Sequence, residues 1–168
     1  HKMFGFGKNK AKKAWESFIK IGAVVCGNYM LMKSIGRHAI DESEISEEEL
    51  PFFEACYLYG LHDGLAHGID ADQQYINQAI IIDQAVGNCQ TYKLLGENVD
   101  EAELIDYVIQ NKHHPAILNI VVAGGVSAQE YTLAAINDED ATKLNQIMSP
   151  KHFSNSHLVN DFKNFFIS

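Results

Sequence analysis

The chain has 168 residues, 46% of them apolar and 21% charged, with a formal net charge of −9. That length suits one domain with a continuous core, and the composition excludes a disordered chain. The charge excludes a general grip on nucleic-acid phosphates. It suits a basic protein partner, whose opposite field speeds encounter.

Cys26, Cys56 and Cys89 stand far apart among apolar neighbours, with no CxxC pair and no Cys/His ligand spacing. They read as small buried hydrophobes of a reducing, cytoplasmic compartment. The richest apolar runs, 21–32 and 115–126, are each about a dozen residues, where a spanning helix needs about twenty. No stable membrane insertion is therefore expected. His1 and Lys2 precede Met3, which reads as the native start.

In chain order, residues 1–10 form a basic tip, read as flexible, in which Phe4 and Phe6 mix with glycines and lysines. A first helix is predicted over about 11–37. Trp15, Phe18, Ile19, Gly22, Val25, Cys26, Tyr29 and Met30 recur at helical spacing, and Lys33 is the one charged member of the series. An acidic connector follows, carrying Asp41, Glu42, Glu44, Glu47, Glu48 and Glu49. Proline is tolerated only in the first turn, so Pro51 places the next helix start near Glu48.

That second helix, about 48–67, is apolar on every side, with Phe52, Phe53, Tyr57, Leu58, Tyr59, Leu61 and Leu65 spread around its axis. Such a helix belongs at the centre of a bundle. Cys56, Gly60, Gly64 and Gly68 recur at every fourth position, a ridge of small side chains that admits a neighbouring backbone. Gly22 and Cys26 on the first helix are the expected facing pair.

Gly68 ends the second helix, and Asp70 with Gln73 signals a third, running to about Leu95. The fourth has the clearest start: Asp100 as N-cap, Glu103 three residues on, and Val99 placed to staple onto Leu104. The fifth starts at Pro115 and either kinks at Gly124-Gly125 or continues to Ala135. A sixth, after Asn137 or Asp138, holds Leu144, Ile147 and Met148, and a last uses Leu158, Phe162, Phe165 and Phe166. No strand-like alternation appears. The predicted fold is all-α, a single-domain bundle of six or seven helices over 11–168.

Two sites compete. The acidic connector is the expected contact surface of a non-enzymatic protein that binds a basic protein partner, as adaptors and antidote- or immunity-type proteins do. The rival is a small-ligand or divalent-metal pocket beside the second helix, built from Glu54, His62, Asp63 and His67, with Asp83 contributing from the third. Asp63 and His67 are four apart and can meet, and a carboxylate-oriented imidazole serves general bases and metal ligands alike. The bland alternative has Asp63 anchoring His67 against the helix dipole. His113 and His114 are expected to cap and pack at a helix junction. No nucleophile elbow, phosphate loop or Glu-x-x-His metal motif is present, so no cofactor is implied. The small-residue ridge also leaves a homodimer seam open.

Residues 40–49 resemble the acidic turn of tellurite-resistance helical domains, although Asp41-Glu42 stands where that family has Asp-Gly. The likeness covers one short acidic stretch and assigns no family. What it implies is a divalent cation held by Asp41 and Glu49.

Overall fold

Helix α2, Leu50–Ile69, sets the architecture, because a helix apolar all round has to be surrounded. Phe52, Phe53, Tyr57, Leu58, Tyr59, Leu61 and Leu65 are all buried, on every side of its axis. The computed structural model describes residues 2–34, 45–136 and 157–167. Within them, α1 (Lys2–Ser34), α3 (Gln78–Tyr92), α4 (Glu101–Asn111), α5 (Pro115–Ile136) and α6 (His157–Ile167) pack around α2. The described residues contain no strand, and no helix among them is long and apolar enough to cross a membrane. The all-α bundle around a central helix is what the periodicity predicts.

Several boundaries move, each for a local reason. Helix α1 begins at Lys2 and takes in the stretch read as a basic tip. Its lysines are good helix formers, and they carry the helix that Phe18 anchors in the core back through Gly5 and Gly7. Ser46 accepts a hydrogen bond from the Glu49 amide through its hydroxyl at 3.2 Å, closing a turn. Helix α2 then starts at Leu50 with Pro51 in its first turn. It passes through Gly68 and ends at Ile69.

Asp70 does not start the third helix. Its carboxylate accepts from the amides of Gln74 (3.1 Å), Tyr75 (2.7 Å) and Ile76 (2.7 Å), folding the chain into a compact loop. Asn77 is the true cap, its side chain accepting from the Ile80 amide at 3.0 Å. Asp100 caps α4 as predicted, accepting from the Glu103 amide at 3.0 Å. His114 caps α5 through Nδ1, which accepts from the Ala116 amide at 3.2 Å, and its ring packs edge-on against Phe165. The expected helix containing Leu144, Ile147 and Met148 lies outside the described residues.

The most extensive packing in the bundle is between α2 and α5. A Cβ added to Gly60 would fall on the carbonyl of Val121, and one on Gly124 would fall on the carbonyl of Tyr57. One on Gly64 would lie 2.7 Å from the Gly125 Cα. The two backbones touch at these glycines. The ridge on α2 therefore meets α5, not the first helix, and Gly22 faces Asn88 instead. Helix α5 runs unbroken through Gly124-Gly125, because the close contact offsets what two glycines cost a helix, roughly 0.5–1 kcal/mol each. Gly68 faces open space and adds nothing to the seam. At one end of the bundle Phe162 of α6 plugs the core edge-on against Phe53, with ring centroids 5.1 Å apart. Phe52 stacks between Tyr107 and that plug.

Candidate functional site

The polar residues singled out on α2 fall in separate places. Glu54 is buried, and its carboxylate accepts from the Tyr29 hydroxyl at 2.7 Å and from Lys33 Nζ at 2.9 and 3.1 Å. Lys33 also donates to the Leu94 carbonyl at 2.8 Å. The buried charge is thus paired and hydrogen-bonded, as a carboxylate in an apolar setting must be. Burial, then the neighbouring Glu54 carboxylate, pushes the Tyr29 hydroxyl well above its ordinary range.

His62 is completely buried two turns further along the same helix. Its Nδ1–H donates to the Leu58 carbonyl at 2.7 Å, which leaves Nε2 as the acceptor. Asn88 donates to that nitrogen at 2.9 Å, and the Cys26 thiol lies 3.6 Å from it. A cysteine, a histidine and an asparagine in contact invite comparison with a thiol-protease centre. The chemistry does not follow. In such a centre the amide orients the imidazole through the nitrogen that the thiol does not use, whereas here Asn88 and Cys26 compete for one lone pair. Burial, chiefly, lowers the His62 pKa to about 4, too weak a base at neutral pH. Burial, then Cys89, raises the Cys26 thiol well above its ordinary value. The cluster is a satisfied polar knot within the core.

Asp63 and His67 do meet, at the surface. His67 Nδ1 donates to the Asp63 carbonyl at 2.7 Å and lies 3.6 Å from its carboxylate, while Gln73 Nε2 contacts the other ring nitrogen. Both ring nitrogens are therefore engaged. Asp83 is exposed on α3. The structure does not bring the five residues to one pocket, and no cluster of three or more metal-ligating side chains occurs among the described residues. At the nearby loop, burial of the Asp70 carboxyl works to raise its pKa. The amides of Ile76, Tyr75 and Gln74, with His67 beside them, outweigh that and hold it low.

The acidic surface is organised differently from the sequence expectation. Asp41, Glu42 and Glu44 lie outside the described residues, so the Asp41–Glu49 cation pair does too. Glu47 and Glu48 border two adjoining grooves. One, of about 620 Å³, is lined by Glu48, Pro51, Val99, Asp100, Glu103, Leu104, Asp106 and Tyr107. The other, of about 700 Å³, shares Glu48, Pro51 and Val99 and adds Glu47, Glu97, Leu95 and the Lys33–Glu54 pair at its floor. Glu49 precedes the first residue of α2 and makes no side-chain cap there.

Glu97, Asp100, Glu103 and Asp106 thus join residues some fifty positions earlier in the chain. Sequence reasoning assigned Asp100 and Glu103 to capping alone and passed over the other two. The i, i+3 spacing of Asp100, Glu103 and Asp106 puts them on one face of α4, which was the available signal. Lys33 also left a trace, as the single charge on the apolar stripe of α1. Asn88 left none. Comparison with protein-family models, curated proteins and solved structures finds no match.

Proposed function

We propose that the protein is a non-enzymatic binding module that receives a basic polypeptide along the acidic groove between the start of α2 and α4. The observation that carries this reading is the shared wall of the two grooves. Glu47, Glu48, Glu97, Asp100, Glu103 and Asp106 rim an apolar floor of Pro51, Val99, Leu104 and Tyr107. Among the described residues the one cation lining either groove, Lys33, is already committed to Glu54 and the Leu94 carbonyl. An apolar strip with a polar rim is the usual anatomy of a protein contact, and carboxylates at the rim select for lysine and arginine and steer approach. A cytoplasmic setting accords with three cysteines that are all buried free thiols. The small-ligand or metal reading finds less support, because Glu54, His62, Asp63, His67 and Asp83 do not converge.

The test uses an amphipathic lysine- and arginine-rich peptide, titrated against the protein and against the Glu48→Gln, Glu97→Gln, Glu103→Gln, Asp106→Asn variant. Asp100 is kept because its carboxylate caps α4. Rim pairs contribute about 0.2–1 kcal/mol each, so the four together should weaken binding roughly tenfold or more and flatten its salt dependence. Equal affinity for an acidic peptide of the same apolar pattern, or no change in the variant, would remove the basis of the reading.

A further inference from the structure

The N-terminal half of α1 carries a surface of the opposite kind. Phe18, Gly22, Val25, Cys26 and Tyr29 turn that helix toward the core. Nearer the N-terminus, along the row that Gly22 and Cys26 continue into the core, Lys8, Lys12, Trp15 and Ile19 follow one another at intervals of four, three and four, which stacks them in one stripe. All four are exposed, Trp15 by 43% and Ile19 by 50%. Lys20 is exposed next to Ile19, and Glu16 lies 3.8 Å from Lys12. Lys10 and Lys13 lie to the side, bordering a depression they share with Asp70 and Asp72. In a chain of formal charge −9, a cationic stripe with a large exposed aromatic at its centre has a separate task to explain. The indole is also held still: its Nε1–H donates to the Tyr75 carbonyl at 2.6 Å, so the ring presents a fixed face outward.

We propose that this face of α1 is a peripheral docking surface for an anionic lipid bilayer. Lysines beside an exposed tryptophan and isoleucine match the two layers such a surface offers, anionic headgroups above and acyl chain just beneath. A nucleic-acid duplex offers phosphates but no apolar layer for Trp15 and Ile19. The helix rests on the surface and does not cross it, in keeping with the absence of a spanning helix among the described residues. The strongly acidic remainder is repelled by the same lipids, so only this face is presented to them. The acidic groove meanwhile stays free for its own partner.

Trp15 is the single tryptophan of the chain, so its emission reports on this face alone. The experiment mixes the whole protein with phosphatidylcholine vesicles, with and without phosphatidylserine, and follows flotation and Trp15 fluorescence. A lysine near such a surface is worth roughly a fivefold gain in partitioning, so three lysines less one glutamate predict roughly a twenty-fivefold preference for the anionic vesicles. The preference should come with a blue shift, fall with added salt, and vanish in Lys8→Gln, Lys12→Gln, Lys20→Gln. Ile19→Ser should weaken binding while keeping the anionic preference, and circular dichroism checks that each variant is folded. Equal partitioning into neutral vesicles, or binding without a shift in Trp15 emission, overturns the proposal. So does a DNA duplex that displaces the vesicles at equal phosphate concentration, which would reassign the face to nucleic acid.

Discussion

Replacing Gly60 by alanine tests the backbone contact at the heart of the bundle. Two effects oppose each other. Alanine is the better helix former by roughly 0.5–1 kcal/mol, which favours the variant. Its methyl group, however, would occupy the position of the Val121 carbonyl, where neither helix has a flexible side chain to move aside. Helix α5 would have to retreat by on the order of 1 Å, and a gap of that size forfeits a quarter to a half of each dispersion contact along the seam. Overpacking of this kind costs about 1–3 kcal/mol, and the loosened seam adds to it. The net expectation is a loss of about 3 kcal/mol, or a midpoint lowered by roughly 6–12 °C for a domain of this size. Gly87→Ala is the matched control, because a Cβ at Gly87 in the middle of α3 meets nothing within 4 Å. It should raise the midpoint by a few degrees. Thermal and urea unfolding followed by far-ultraviolet circular dichroism compares the two. A Gly60→Ala midpoint within a degree or so of the parent, or a Gly87→Ala loss equal to that of Gly60→Ala, would refute the account of the seam.

The buried His62 makes stability depend on pH. Its folded pKa of about 4 lies below the 6.5 of an unhindered imidazole, so only the unfolded chain takes up a proton between those values. Stability therefore falls as pH drops from about 6.5 toward 4, by up to about 3 kcal/mol, and levels off below that for this residue. Urea midpoints across that window, in the parent and in His62→Gln, measure the slope; an equal slope in both would acquit His62. Removing Lys33 takes the ammonium away from the buried Glu54 carboxylate, and Lys33→Met should cost about 2–3 kcal/mol, less than a fully buried pair because the lysine side chain is 31% exposed. Glu54→Leu added to it should recover much of that, measured by the same unfolding curves. A double variant no more stable than the single one would mean that Glu54 finds other compensation.

What the sequence made legible was decided by local physics. Helix α2 announced itself because no face of it was polar, and Asp100 because a side-chain oxygen, an acidic first turn and a staple all coincide at one place. The ridge of glycines correctly marked a close approach. Its partner could not be read, because Gly60 and Gly124 are joined only by the tertiary fold, and small residues on α1 offered an equal match. Asp70 misled for a chemical reason: an aspartate that accepts from amides four, five and six residues on looks in sequence like one that caps a helix. The acidic connector pointed to a charged surface, yet half of the groove comes from α4, whose carboxylates face it only once α4 is packed against α2. Grouping Glu54, His62, Asp63 and His67 as one site overlooked how far the helix turns between them.

The α2–α5 seam also has a consequence for how the protein is made. Its two halves are separated by the whole of α3 and α4, so the central helix emerges from the ribosome well before the segment that must cover it. At typical translation speeds the interval between finishing α2 at Ile69 and finishing α5 at Ile136 is roughly 3–13 s. Throughout it a helix with apolar side chains on every side has no permanent cover. Nascent chains halted just short of Pro115 should therefore be held by chaperones, and those extended past Ile136 released.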